Sequence, residues 1–221
     1  MWLLAVAAVL AGRAPPAAGS TAADSIEGSD SVENCHKPLC WKGSSLNFDL
    51  QSNHLEVPDF EMVDTTRNAH IKADRAERSG EKADSSTWVL TGHVQISVPQ
   101  GQLSADQTTL QVINNHIITM NAQGAPAQFQ RGADGALSGI AKSAHGHAHE
   151  IVYDLDHNEL QLNGDAWLTD GCYYELHSQH ISYDIGNQKV HADPNDGTGV
   201  EGSVAPKQHP AAGCPAESNK S

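Results

Sequence analysis

Apolar and polar residues alternate with period two in segment after segment through the middle of this chain. Val94, Ile96 and Val98 alternate with His93, Gln95 and Ser97, and Leu110 and Val112 with Thr109 and Gln111. Ile151 and Tyr153 point one way, with Glu150, Val152 and Asp154 the other; Leu160 and Leu162 alternate with Gln161 and Asn163, and Ile181 and Tyr183 with Ser182 and Asp184. Side chains on a strand project to opposite faces in turn, so this pattern predicts strands that bury one face. Turn formers separate them: Pro99-Gln100-Gly101, Asn114-Asn115, Asp156-His157-Asn158 and Gly186-Asn187. Turns about 8 to 12 residues apart favour a sandwich or open barrel over βαβ units. No window carries a convincing 3.6-residue apolar stripe, so the expected domain is all-β and antiparallel.

Two stretches echo each other, Val89 to Thr119 and Gln161 to Ala192. Leu90, Gly92, Val94 and Ile96 match Leu162, Gly164, Ala166 and Leu168 at a constant offset. After one inserted residue Leu103, Ala105 and Leu110 match Leu176, Ser178 and Tyr183. A fixed spacing of this kind marks a repeated supersecondary unit, each copy covering an apolar face that it cannot bury alone. Small residues (Ala73, Ala105, Ala127, Ala148, Ala166) fall among the large ones on the apolar face. Modest side chains in such positions suit a narrow, tightly packed sandwich, or else leave a groove. Periodicity alone leaves both open.

The 221 residues are enough for one domain with tails or two small domains. With aromatics at 5%, the core must be built from Val, Ile, Leu and Ala. A net charge of −14 argues against a nucleic-acid partner, which needs a surplus of Lys and Arg. It argues equally against a polybasic membrane contact, and the thirteen histidines would offset it only under acid. Trp2 to Gly12 is an apolar run too short to span a bilayer, followed by small residues. Residues 1–19 are therefore expected to be a signal peptide, although no Lys or Arg precedes the run. A flexible leader over 20–44, a domain over 45–193 and a disordered Pro/Gly/Ser-rich tail over 194–221 complete the expected organisation. Cys35, Cys40, Cys172 and Cys214 allow three disulfide pairings. Cys35 and Cys40 are near enough to bridge locally, and a second bridge would tether the tail; a zinc site using Cys35, Cys40 and His36 is the rival reading.

The stretch Ile71-Lys72-Ala73-Asp74-Arg75-Ala76-Glu77, followed by Leu90-Thr91-Gly92-His93-Val94, resembles the opening of an OstA-like domain. Leu103-Ser104-Ala105-Asp106, Gly124-Ala125-Pro126-Ala127-Gln128-Phe129, and Ala148 through Tyr153-Asp154 to Leu160-Gln161-Leu162-Asn163-Gly164 follow in order. Order and spacing are similar to the LptA/OstA-like family of lipopolysaccharide-export proteins, over residues of about 65 to 195. The resemblance implies a twisted antiparallel β-jellyroll, open at both ends, that stacks end to end in the periplasm. It implies carriage of the lipid A acyl chains of lipopolysaccharide in a groove, without covalent chemistry. The implied partners are an LptC-like inner-membrane protein, the N-terminal domain of an LptD-like outer-membrane protein, and further copies of the chain head to tail. His180 to Val190 and Arg67 to Ala73 are the expected edges. Ala69, Ile71 and Phe129 match groove-lining positions of the family; alternation adds Val94, Ile96, Leu110, Val112, Ile151, Tyr153, Leu160 and Leu162. Plain core packing is the alternative for each. Ala69 is smaller than the aliphatic usual at its position.

His145, His147 and His149 stand on one side of a strand about 7 Å apart. They are too spread to share one ion without a kink, so a solvated strand face is expected there. Neither a catalytic triad, nor paired carboxylates, nor a phosphate-cradling Gly loop appears, and neither catalysis nor a cofactor is expected. The alternatives are an anchored LptC-like subunit of the same export system, or a secreted His-rich metal-binding or structural β-protein.

Overall fold

The computed structural model describes residues 32, 35–82, 84–131, 143–193 and 199–204. Twelve strands follow one another: β1 (Leu39–Lys42), β2 (Asn47–Asp49), β3 (His54–Asp64), β4 (Ala69–Lys82), β5 (Ser85–Val98), β6 (Gly101–Ile113), β7 (His116–Arg131), β8 (Ala144–Asp154), β9 (Glu159–Thr169), β10 (Tyr174–Asp184), β11 (Lys189–Asp193) and β12 (Glu201–Val204). From β3 to β11 each strand pairs antiparallel with the next, giving one continuous meander, with β1 and β2 added on β3 and β12 on β10. The alternating segments and the predicted turns fall where the sequence places them.

The long strands share a register shift near their middles. It lies between Lys72 and Arg75 on β4, Thr91 and Val94 on β5, Ser104 and Gln107 on β6, Gln123 and Ala127 on β7, His147 and Glu150 on β8, and Ser178 and His180 on β10. A bulge bends its strand, and bulges aligned across a sheet fold the whole sheet along one line. Two leaves result. Leaf A holds 60–72, 94–104, 127–131, 144–148 and 166–178; leaf B holds 54–58, 75–82, 84–91, 107–123, 150–163 and 180–193. Contacts between strands far apart in the meander show that the leaves face each other: Asp64 of β3 reaches Ile117 of β7, and Arg131 of β7 reaches Tyr183 of β10. The result is a flattened jellyroll whose sheet never closes into a barrel.

The internal repeat has a backbone cause. Gly92 and His93 bend β5 with φ of 76° and 44°, and Gly164 and Asp165 bend β9 with 75° and 47°. Each bend carries a His–Asp pair with the roles exchanged: His93 meets Asp74 at 2.7 Å, and Asp165 meets His149 at 3.4 Å. A Cβ on Gly92 would lie 2.3 Å from Asp74 Oδ2, and one on Gly164 2.9 Å from His149 Nδ1. Both a positive φ and a crowded site oppose a side chain here. Gly92→Ala is expected to lower stability by about 1–3 kcal/mol, read as a shift of the denaturant midpoint, with Gly164→Ala following in the same direction.

The alanines noted in the sequence all lie along the bend. Ala105 is opposite Val94, Ala127 opposite Ala148, and Ala166 opposite Ser178. Ala73 is opposite Phe60, so small side chains share the crowded fold line with larger ones, and all of these alanines are buried. Of the two readings left open by periodicity, tight packing describes the interior.

The edges differ from expectation. β4 is covered by β3, and β10 by β11 on one half and β12 on the other. The edge strands are instead the short β1 and β2 at one end and β11 and β12 at the other. Two of these fall outside the expected domain limits of 45 and 193. Cys40 lies in β1 and is bridged to Cys35, which removes both from any zinc site. Cys172 is also disulfide-bonded; Cys214, the expected signal peptide at 1–19 and most of the expected tail lie outside the described residues. Glu61 of β3 pins β1 in place: Lys42 Nζ lies 2.7 Å away and His70 Nε2 2.6 Å. The hydrogen bond from Lys42 is the main reason the Glu61 carboxyl is held down at about 2, against the opposing effect of burial.

Candidate functional site

All eleven candidate residues face inward and join a single apolar cluster between the leaves. Cross-strand pairing arranges them in rows. On leaf A the row runs Met62, Ile71, Ile96, Leu103, Phe129, Gly146, Leu168. On leaf B one row runs Trp88, Leu110, Met120, Tyr153, Leu160, Tyr183, and a second Leu90, Thr108, Ala122, Ile151, Leu162, Ile181. Val94 belongs to the bend, Val112 pairs with Ile117 beside the leaf B row, and Ala69 begins β4 opposite Asp64. None of the eleven is more than 4% exposed. They line the inside of the jellyroll, and in this state that inside is filled by its own side chains. Trp41, Trp88 and Phe60 pack at one end of it as tilted rings, with centroids 5.7 and 5.1 Å apart.

Opposite the bend the rims of the two leaves meet along a polar seam. Asp64, wholly buried, organises it. Its Oδ1 accepts hydrogen bonds from the Thr66 amide (3.0 Å), the Thr66 hydroxyl (2.6 Å) and the Arg67 amide (3.1 Å), and its Oδ2 from the Ile117 amide of the other leaf (3.1 Å). Thr66 Oγ1 lies 2.9 Å from His116 Nδ1, and Arg67 pairs with Asp156. Further along, Arg131 donates to the Tyr183 hydroxyl (2.9 Å) and the Ile185 carbonyl (3.4 Å). Burial pushes the Tyr153 hydroxyl up to about 12, even though Arg131 and Arg67 pull the other way.

The alternation of residues finds the interior and misses the seam. A signal for part of it exists. Asp49, Asp64, Asp154 and Asp184 each open a five-residue turn whose last residue (Asn53, Asn68, Asn158, Gln188) has φ between 49° and 56°. In each turn the aspartate Oδ1 accepts from backbone amides two or three residues on. Such Asx turns let the strand reverse with its own cap. Three of the four recur at the leaf rims, and only Asp64 also reaches across.

Outside the interior, His145, His147 and His149 stand on the outer face of β8 as the alternation requires. His147 stacks on Trp167 with centroids 5.0 Å apart, and no three His, Cys, Asp or Glu converge as metal ligands among the described residues.

A family model described as LptA/(LptD N-terminal domain) LPS transport protein matches residues 70–189. Among solved structures, similarity extends to the crystal structure of LptH, the LptA homologous periplasmic component of the conserved lipopolysaccharide transport device from Pseudomonas aeruginosa. That likeness is 15% in sequence identity with a TM-score of 0.48, and covers 77% of this chain and 96% of that one. No curated protein matches the chain.

Proposed function

The chain belongs to the LptA/LptD N-terminal-domain family of lipopolysaccharide transport proteins, and on that premise we propose that it carries lipid A acyl chains between its two leaves in the periplasm. The observation that supports this is the set of inward, largely apolar rows running along the meander under a seam of side-chain contacts. Burying an acyl chain of about twelve carbons gains on the order of 10 kcal/mol gross, at roughly 0.8 kcal/mol per methylene. That is comparable with the cost of displacing a few core side chains from one another, so exchange of protein–protein for protein–lipid contacts is a balanced process. Because the interior is filled, acyl chains enter only as the leaves part. The bend, continuous in every strand, stays shut while the seam gives way.

The test is photocrosslinking in cells from positions 71 and 129, with position 111, exposed on the outer face of leaf B, as the control. Lipopolysaccharide adducts at 71 and 129 and none at 111 are expected. Adducts at 111 alone would remove the interior as the carrier.

End-to-end stacking, with copies of itself and with an LptC-like inner-membrane protein and the N-terminal domain of an LptD-like outer-membrane protein, is the natural extension. Apart from Ile113 at the end of β6, the exposed large apolar residues among those described gather at the two ends of the sheet: Trp41, Leu46, Phe48 and Leu50 beside β1 and β2, and Val200 and Val204 beside β12. Short unpaired strand edges with apolar side chains are where a second chain adds on. A head-to-tail contact does not close, so sedimentation should show a ladder of species growing with concentration. Phe48→Asp together with Val204→Asp should return it to monomer; a wild-type protein monomeric at all concentrations would overturn the stacking.

A further inference from the structure

We propose that the outer face of leaf A binds a neutral oligosaccharide. This surface lies on the opposite side of the sheet from the acyl interior and does not depend on the lipid reading. It is a depression of about 400 Å³, within the range of sites that hold small ligands. Its floor is laid by the outward residues of four adjacent strands. Gln95 and Ser97 of β5, Ser104 and Gln102 of β6, and Gln128 and Gln130 of β7 stand opposite one another in two rows, which continue into the histidines of β8. All six are exposed, and none makes a side-chain hydrogen bond among the described residues. Each glutamine presents an acceptor and two donors, and each serine one of both kinds, to whatever sits above.

One wall is aromatic. The His147 imidazole lies against the Trp167 indole at an interplanar angle of 24°. The indole is held from below by its Nε1–H, which donates to Glu175 Oε1 at 2.8 Å, and the same oxygen lies 3.1 Å from His177 Nε2. The wall is therefore positioned before any ligand arrives, and the entropy of ordering it is already spent.

The lining selects its occupant by charge. In a chain of net charge −14, the depression is lined by no Asp, Glu, Lys or Arg. Its only ionisable lining groups are the imidazoles of His145 and His147, so it offers phosphate or sulfate no fixed cation and a polycation no carboxylate. Ile96, Leu103 and Phe129 also line it, but none is more than 4% exposed, so the surface it presents to an occupant is chiefly polar. Amides that pair with vicinal hydroxyls, beside a ring that packs against C–H bonds, match an uncharged sugar chain. Strands about 4.8 Å apart repeat the amide pattern at a spacing comparable with one sugar ring.

The test is calorimetry and indole fluorescence on the full chain. The ligands are maltohexaose, cellohexaose, and the core oligosaccharide of lipopolysaccharide freed of lipid, phosphate and its acidic octulosonate sugars; hexagalacturonate is the acidic control. At least one neutral ligand should bind with a Kd below about 1 mM, and the acidic one should not. Trp167→Ala should weaken binding at least tenfold, and so should Gln102→Ala with Gln128→Ala, whose exposed side chains carry no packing and whose melting temperature should match the parent. No binding of any neutral ligand, equal binding of hexagalacturonate, or binding indifferent to the glutamine pair would each overturn the proposal. Loss of this binding with interior crosslinking intact separates the outer face from the carrier reading.

Discussion

Replacing Asp64 with alanine is expected to destabilise the domain by about 3 kcal/mol, the largest single loss available to a change of one polar residue here. The carboxylate is wholly buried and accepts four hydrogen bonds, three from its own turn and one from Ile117 on the facing leaf. Hydrogen bonds to a charged acceptor are worth about 1.5–3 kcal/mol net, and a buried amide left without a partner costs about 1–3 kcal/mol. Truncation both undoes the turn and strands the Ile117 amide. Asp49→Ala removes the same kind of cap from an exposed turn, in which Asp49 bonds Gln51 and Ser52, and there the loss should stay near 1 kcal/mol. Denaturant midpoints of the two variants measure the difference directly. Equal losses would mean that the contact across the seam contributes nothing and that the turn alone accounts for Asp64.

The contrast between those two aspartates shows what the sequence carries and what it does not. Period-two alternation reads out the strands from Val94 to Tyr183, because each side chain's fate is set by its own face. The repeat around Gly92 and Gly164 is legible for the same local reason: a bend at positive φ needs glycine there, whatever lies elsewhere. The alanines were visible but ambiguous, since small residues suit a groove as well as a convergence; only the position of the bend decides. Asp64 looks like Asp49 in sequence, and its role comes from a leaf that folds back fifty-three residues later. The short strands β1 and β12 escaped for a related reason. Four residues have too little propensity to stand alone, and they are strands because β3 and β10 offer an unpaired edge. Histidine clustering on β8 drew attention for its metal chemistry, whereas the fold gives His147 an indole as its neighbour.

Tying the seam shut should lower lipopolysaccharide loading at least tenfold while leaving the fold intact. Thr66 and His116 approach within 2.9 Å from opposite leaves, so cysteines at both positions can be joined by a short bismaleimide. No described native cysteine is free to react with it. If acyl chains enter by parting the leaves, the crosslinked protein cannot exchange its own core contacts for lipid ones, and binding should fall at least tenfold, equivalent to about 1.4 kcal/mol. Treating the same variant with a monofunctional maleimide adds similar bulk without the tie and should leave loading close to the parent. The bridge should also raise thermal stability, since it restrains the unfolded chain as a disulfide does. That gain confirms that the tie formed in the native arrangement. A crosslinked, stabilised protein that still loads lipopolysaccharide normally would show that the lipid enters from an end of the jellyroll, past Trp41 and Trp88 or past β11 and β12, with the seam closed throughout.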